Sequence, residues 1–430
     1  MLFILISIFC GIMILIHSGQ NRFNWFVCSM LLLASNITII DSPQIQSHRF
    51  FILCFWLSAI YHQEYKSTRF PILLPLVVYI VGLFCIGWHD KDLTVFYRVW
   101  KPLAFLLDSY FILLLAFWGT KNVKTNSRPI VYVLFVTTIY GIFTYIIKAN
   151  PVYAVTNPES YFSYFQKYCF GDRIRISSTW SHPIAYGLIC SIFATLQLSH
   201  LKTMREKALL SLLVINILIC GSRTALASLI MMLSCYVLFR YKLRKTFTLV
   251  LRIIPLAVAI YLFVPSIQSK VDQLVDTVMG VSSVEGSSLD MRQMQTAAVL
   301  MIYSSSPVWG HGPDYVQEQL RPDKKLMNLY TTQGYTLFGF ESYAYIILIE
   351  RGMVGVVLEL LLMLTIIVYG VRNKKLYPAE SANILSIMSG FMFFALSTGA
   401  LDTWKFTMLF IGLFMRRIYE REISDHHSCL

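Results

Sequence analysis

Charge is what this sequence has least of. Of 430 residues only 14% are charged, against about a quarter in an ordinary soluble domain, while 56% are hydrophobic and the mean hydropathy is +0.61. Water is the wrong solvent for such a chain. It also lacks any CxxC pair: Cys10, Cys28, Cys54, Cys85, Cys190, Cys220 and Cys235 fall inside apolar runs, with Cys169 and Cys429 outside them. That pattern offers neither a zinc site nor a disulfide framework. No His/Cys/Asp cluster has metal-ligand spacing, so no metal or other cofactor is expected. No internal repeat is visible.

What is present is a series of apolar runs. They fall at about Leu2 to Ile16, Asn24 to Ile40, Phe50 to Tyr61, Phe70 to Trp88, Val99 to Trp118 and Pro129 to Ile147, then at Pro183 to Leu198, Ala208 to Cys220, Thr224 to Phe239 and Phe247 to Val264. A stretch ending near Gly370, then Ala382 to Thr398 and Trp404 to Met415, complete the series. A spanning helix needs about 20 mostly apolar residues, and lipid leaves unsatisfied backbone without a partner, so these runs are expected to be helices. The fold class that follows is an all-α polytopic integral membrane protein with about twelve transmembrane helices, plus or minus two. Leu2 to Ile16 lacks a basic n-region and a small-residue cleavage site and reads as a retained first helix.

The net charge of +13 would point to nucleic acid in a soluble protein, but here the cations sit mostly between apolar runs. Arg416, Arg417 and Arg421 form one cluster, and Arg372, Lys374 and Lys375 another two crossings earlier. Further steps of two crossings reach Arg240, Lys242, Arg244 and Lys245, then Lys202, Arg205 and Lys207, then Lys121, Lys124 and Arg128. Every second loop is basic, as retention of Lys and Arg on the cytoplasmic side requires. Nucleic acid is therefore dropped as a partner, and the lipid bilayer takes its place. This register organises the chain as N-terminal transmembrane helices (1–147), helices with a first outer loop carrying Arg173 and Arg175 (148–264), a large outer loop (265–342), and C-terminal helices with a short cytoplasmic tail (343–430). Long loops with aromatics and Gly/Pro punctuation read as ordered and substrate-handling.

Arg173, Arg175 and Arg223 stand out because the outer side should be poor in cations near helix ends. One such arginine is as well explained by snorkelling to headgroups or by pairing with Asp172. Three near one surface favour an anionic, phosphate-bearing ligand, because a planar guanidinium binds phosphate oxygens in pairs. Among the other ionisable residues, His182 before Pro183 reads first as a helix cap, and His311 between two glycines serves equally as a turn residue or a ligand. Lys101 and Asp108, seven apart, share one helical face; Lys101 is near a helix end, and Asp108 is expected to pair with a cation of a neighbouring helix.

The spacing around these residues resembles a family. Arg175-Ile-Ser-Ser-Thr-Trp-Ser-His182-Pro183 is similar to the Arg-x-x-Gly-Thr-Phe-x-His-Pro-Asn signature of the O-antigen ligase and polymerase superfamily, with Ser178 in place of Gly and Ile184 in place of Asn. Ser222-Arg223-Thr-Ala-Leu-Ala resembles its Ser-Arg-(small)-(small)-Leu element. Arg292, then Pro307 and Gly310-His311-Gly312, resemble its Arg and Pro-x-x-Gly-x-Gly run. Glu341-Ser342-x-Ala344 leading to Glu350-x-Gly352-x-x-Gly355 resembles the family's His-Asn-x-Tyr-Leu-x-x-Leu-x-Glu-x-Gly-x-x-Gly, with Glu341 at the histidine position. Four elements in family order cover roughly Arg173 to Gly355.

The resemblance implies a metal-independent glycosyltransferase on the outer face of a bacterial cytoplasmic membrane, acting on undecaprenyl-diphosphate-linked oligosaccharide as donor and acceptor. A chain-length regulator and a flippase of the same pathway would be its partners. Because ligases of the superfamily depend on the histidine that Glu341 replaces, the reading is a repeat-unit polymerase for O-antigen, lipopolysaccharide or exopolysaccharide. A ligase and a non-enzymatic flippase or transporter are its rivals, and a transporter would show inverted repeats with charges near the midplane of broken helices. Glu341, Arg175 and Arg223 are the expected catalytic residues, and Arg173, His182, Arg292, His311 and Tyr343 the expected substrate-binding ones.

Overall fold

The computed structural model describes residues 2–33, 37–40, 45–64, 69–89, 94–169, 174–180, 182–241, 287–320, 340, 342–399 and 403–428. These are almost wholly helical. The N-terminal part contains α1 (Leu2–Ile16), α2 (Gly19–Leu32), α3 (Ser47–Tyr61), α4 (Leu73–His89), α5 (Val95–Asp108), α6 (Tyr110–Gly119) and α7 (Arg128–Ile147). Two short helices follow, α8 (Pro151–Thr156) and α9 (Pro158–Tyr168), then α10 (Pro183–Gln197), α11 (Met204–Ile219) and α12 (Arg223–Arg240). The C-terminal part has α13 (Ser287–Ser305), a π-turn at Val316–Leu320, α14 (Tyr343–Asn373), α15 (Pro378–Ser397) and α16 (Trp404–Ser428).

Local chemistry sets several helix starts. Thr203 and Glu206 form a reciprocal capping box at α11, and Ser222 Oγ accepts the Ala225 amide at α12. Pro129, Pro151, Pro158, Pro183 and Pro378 sit in first turns, where a missing N–H costs nothing.

Lipid is written on the outer surfaces. Along α7 Tyr132, Val136, Ile139, Phe143 and Ile146 form an exposed stripe at helical spacing, joined at its end by Tyr145 and Ile147, and α14 presents Val357, Leu360, Leu361, Leu364, Val368 and Val371 in a similar stripe. Exposed apolar stripes of this extent are not compatible with water. Among the described residues four helices, α7, α12, α14 and α15, are long and apolar enough to cross a bilayer, and the bent pair α5–α6 meets that test only when its two helices are taken together; α1 and α4 are shorter apolar helices. The chain is a multi-pass membrane protein.

Between helices, polar contacts act as glue, as they do where lipid gives no hydrophobic drive for association. Asn216 of α11 donates to the Thr138 carbonyl of α7 at 3.1 Å and accepts from the Tyr186 hydroxyl of α10 at 2.8 Å. Ser386 of α15 donates to the Met232 carbonyl of α12 at 2.5 Å. An aromatic centre, with Trp404 against Phe105, Tyr110, Tyr343 and Phe391, joins α5, α6, α14, α15 and α16.

The basic clusters gather at one end of the bundle. Arg417 donates to the Val123 carbonyl at 2.8 Å, and Asn126 to Glu206 at 3.2 Å, so the loop at 121–127, the start of α11 and the end of α16 meet. Arg421 pairs with Glu380 at 2.9 Å, and the Lys374 ammonium lies 4.6 Å from the Phe239 ring centre. Lys242, Arg244 and Lys245, and the expected helix from Phe247 to Val264, lie outside the described residues.

Three apolar-run expectations need correction. Asn24 to Ile40 is not one helix: α2 stops at Leu32, and the β-branched Thr38–Ile40 pairs as a strand with Ile45–Gln46. Val99 to Trp118 is two helices bent by 51° at Ser109, where Pro102 upstream removes a backbone donor and Ser109 Oγ bonds back to the Phe105 carbonyl at 2.6 Å. The loop at 148–181, expected on the outer side, contains two helices, α8 and α9, which are too short and polar to register as apolar runs.

Candidate functional site

The end of the bundle opposite the basic loops carries the starts of α10, α12 and α14, and with them the motif residues. Arg175 leaves an extended segment whose amide bonds to the Tyr168 carbonyl at 2.8 Å. Its side chain crosses the α11–α12 turn, with Nε donating to the Cys220 carbonyl at 3.3 Å and its stem over Gly221. That turn leads straight into Arg223, the exposed first residue of α12. Two arginines far apart in sequence are thereby brought to one short turn.

Tyr168, which sequence reasoning passed over, sits between two of the expected residues. Its ring centre lies 5.9 Å from the Arg175 guanidinium and 5.8 Å from the His182 ring. His182 caps α10, its Nδ1 accepting the Ile184 amide at 3.2 Å, and the same ring faces Tyr168.

The segment is anchored from below by Asn150. Its amide nitrogen donates to the Ser178 carbonyl at 2.8 Å and to Tyr164 and Ser177 at 3.3 Å, while its oxygen accepts from Tyr140 at 3.0 Å. Tyr164 and Ser177 share a 2.5 Å hydrogen bond, and burial pushes the Tyr164 phenol up to about 12, so it stays protonated. Ser178 has φ of +51°, the left-handed region that glycine tolerates best, and its hydroxyl is held by the Thr137 carbonyl at 2.7 Å. A glycine at the corresponding place in the family signature has the same backbone reason.

The Pro307–Gly312 and Glu350–Gly352 motifs turn out to be two halves of one contact. Helix α14 breaks at Gly352, with φ of +59° and ψ of −162°. The break frees backbone groups, and the turn takes them up: Met353 and Val354 amides donate to the Pro307 and Val308 carbonyls at 2.9 and 3.1 Å. In return the His311 and Gly312 amides donate to the Ile349 and Glu350 carbonyls, both at 2.9 Å. A Cβ on Gly310 would stand 2.4 Å from the Arg351 nitrogen, and one on Gly352 2.4 Å from the Val308 oxygen, so neither position admits a side chain. His311 stays in this turn, with its Nε2 3.0 Å from both Ser305 Oγ and the Ile302 carbonyl and its ring stacked on Tyr315.

Beneath the turn lies a set of charges, of which Arg351 and Glu359 are the two that the apolar-run reading did not single out. Glu359 accepts hydrogen bonds from Tyr79, Tyr110 and Tyr343, and Arg351 lies 3.5 Å from it while donating to Tyr79 at 3.1 Å. Tyr343 is therefore an interior residue, buried against Trp404. Glu350 accepts the Val316 amide at 3.2 Å, and Lys101 pairs with Glu318 at 2.6 Å, so both hold the π-turn segment. Asp108 takes Arg49 in a forked pair, at 2.7 Å to Nη2, and His48 at 2.7 Å. Ionisable residues inside apolar helices are the signal that would have found Arg351 and Glu359.

Three expected residues need separate mention. Arg173 and Glu341 lie outside the described residues, although Ser342, next to Glu341, is the N-cap of α14. Arg292 belongs to α13.

No curated protein matches the chain. Residues 208–360, a stretch that includes Arg223, the Pro307–Gly312 turn and the break at Gly352 but not Arg175 or His182, match the family model described as O-antigen ligase. Over that stretch the chain is similar to the O-antigen ligase family, in agreement with the superfamily that its motifs resemble.

Proposed function

We propose that the protein polymerises lipid-diphosphate-linked oligosaccharide repeat units on the outer face of a bacterial cytoplasmic membrane, with its C-terminus in the cytoplasm. The observation that carries the reading is the seating of Arg175 across the turn that begins α12 at Arg223. In the reaction, a sugar hydroxyl of one unit attacks the anomeric carbon of another. The bond from that carbon to the diphosphate oxygen breaks, and the lipid diphosphate leaves with the bonding electrons.

Negative charge grows on the leaving diphosphate, so fixed cations aimed at it lower the barrier. Arg175 and Arg223 take that part, with Arg173 and Arg292 as supporting cations. Glu341, the residue before Ser342 in sequence, accepts the proton of the attacking hydroxyl. Tyr168 and His182 meet edge to face beside Arg175 and hold the start of α10 next to it, and undecaprenyl diphosphate is the carrier that the family resemblance implies.

The ligase reading has its own support in the description of the matched family model. Purified protein given lipid-linked repeat units alone distinguishes the two. A polymerase yields a ladder of longer chains and free lipid diphosphate, whereas a ligase yields neither until a different acceptor is added. No product under either condition would remove both.

A further inference from the structure

Between positions 293 and 313 the chain carries no Asp, Glu, Lys or Arg, a poor composition for a loop that stands in water. Helix α13 takes up the first half of that stretch. Its buried face, with Ala298, Val299 and Ile302, packs with Ile346 and Ile349 of α14, and Thr296 and Tyr345 share a 2.6 Å hydrogen bond. Away from that contact stand Leu300 and Met301, and Val308 follows in the turn; all three are more than half exposed. The serines beside them are turned to the backbone. Ser304, Ser305 and Ser306 hydroxyls donate to the Met301, Ile302 and Gly310 carbonyls at 2.7, 2.6 and 2.6 Å. A hydroxyl satisfied by nearby main chain asks little of water.

Helix α14 sets the level of this face in the bilayer. Tyr343 and Glu359 would stand about 24 Å apart along a straight helix, yet their side chains meet at 3.4 Å. The arm at 343–351 therefore turns aside at Gly352, and only the limb after it crosses. On that limb the exposed apolar stripe begins at Met353 and ends at Val371, about 27 Å at roughly 1.5 Å per residue and close to the roughly 30 Å hydrocarbon core. Gly352 marks the edge of the hydrocarbon. Val308 sits at that edge, its carbonyl 3.1 Å from the Val354 amide. The next residue, Trp309, stacks on His89 at the end of α4, beside the lipid-facing Trp88.

The exposed face of α13 is thus continuous with two lipid-facing stripes, one on α14 and one on α4. We propose that α13 lies in the boundary layer of the bilayer at this end of the bundle, with Leu300, Met301 and Val308 against acyl chains. The helix is then an interfacial anchor for the segment at 287–312, which composition alone had assigned to a loop in water. A protein partner would have to seat on a face whose rim already meets lipid. The anchor does not depend on what the protein makes.

The experiment uses full-length protein in nanodiscs containing a phosphatidylcholine with a diazirine near the ester end of one acyl chain, and crosslinked residues are located by mass spectrometry. Labelling is expected on Leu300, Met301 and Val308 as well as on the exposed stripe of α14. A labelled α14 with a clean α13 would overturn the proposal. Leu300→Asp and Met301→Asp together should lower labelling of α13 about tenfold, the scale of one apolar side chain returned to water, while α14 labelling persists and reports an intact fold. Leu300→Trp should keep its labelling, because aromatic rings favour the membrane boundary. Labelling of α13 unchanged by the Asp pair would make the lipid contact incidental. Loss in Leu300→Trp as deep as in the Asp pair would point to a shaped protein partner, and either result removes the anchor.

Discussion

Arg351 and Glu359 stand on either side of the break at Gly352, with Nη1 of the first 3.5 Å from Oε2 of the second. Their pairing braces a helix that has lost its own continuity, and three tyrosines from α4, α6 and α14 complete the carboxylate's shell. Glu359→Gln keeps one accepting oxygen for the tyrosines, turns the other position into a donor and removes the charge that faces the buried guanidinium. A loss of about 3–5 kcal/mol is expected, seen as a lower thermal midpoint in detergent. A variant that melts like the wild type would show that the brace lies elsewhere.

The interlocked turn gives a sharper test. Gly310→Ala and Gly352→Ala each force a methyl group into backbone of the opposite segment, in a conformation that costs about 1–3 kcal/mol for an alanine even before the clash. Both variants should accumulate poorly in the membrane. Normal levels and normal melting in either would mean that the two segments come apart at little cost.

For the arginine turn the conservative change is the informative one. Lysine keeps the charge of Arg223 or Arg175 but not the fork that grips two phosphate oxygens. Charged hydrogen bonds are worth about 1.5–3 kcal/mol, so each Lys variant should slow chain growth ten- to hundredfold. Polymer length on a gel at matched protein level is the measurement, and full-length chains from both variants would end the diphosphate assignment.

Glu341→Gln separates a base from a helix-start carboxylate. Loss of a general base should slow turnover of lipid-linked units by about 10² to 10⁴ with donor binding retained. A dipole role near a helix start is worth only about 0.3–1 kcal/mol, and Gln would then be nearly silent.

Labelling tests the orientation. Cys169, exposed by sequence position alone, is buried under the α9 tyrosines and is a poor probe. Phe162, 70% exposed on α9, and Met204, 79% exposed at the start of α11, replace it. A membrane-impermeant thiol reagent should reach Phe162→Cys in intact spheroplasts and Met204→Cys only after lysis; the reverse pattern would invert the topology.

Helix positions were legible wherever an apolar run was long and uninterrupted, as in α1 and α7, because lipid enforces them residue by residue. Breaks were not. The break at Gly352 is bridged by the distant Pro307–Val308 turn, which no local pattern announces, whereas the bend at Ser109 comes from Pro102 and Ser109 themselves, single residues that an apolar-run count passes over. Asp108 was legible as one half of an ion pair, but its partners Arg49 and His48 were not, lying about sixty residues earlier on a helix with no visible motif. Pro307–Gly312 and Glu350–Gly352 could be recognised as separate patterns; that they are one contact needed three dimensions. Tyr168 left no trace in the sequence because aromatic residues are common throughout this chain, and only its place beside Arg175 and His182 singles it out.

The backbone clasp between Pro307–Gly312 and Ile349–Val354 has a consequence for engineering and for divergence. Four amide-to-carbonyl hydrogen bonds between main-chain atoms demand glycine at two places and ask little of the other side chains. Substitutions at the side chains around the two glycines should therefore leave this join in place, whereas any side chain at Gly310 or Gly352 should part the two segments.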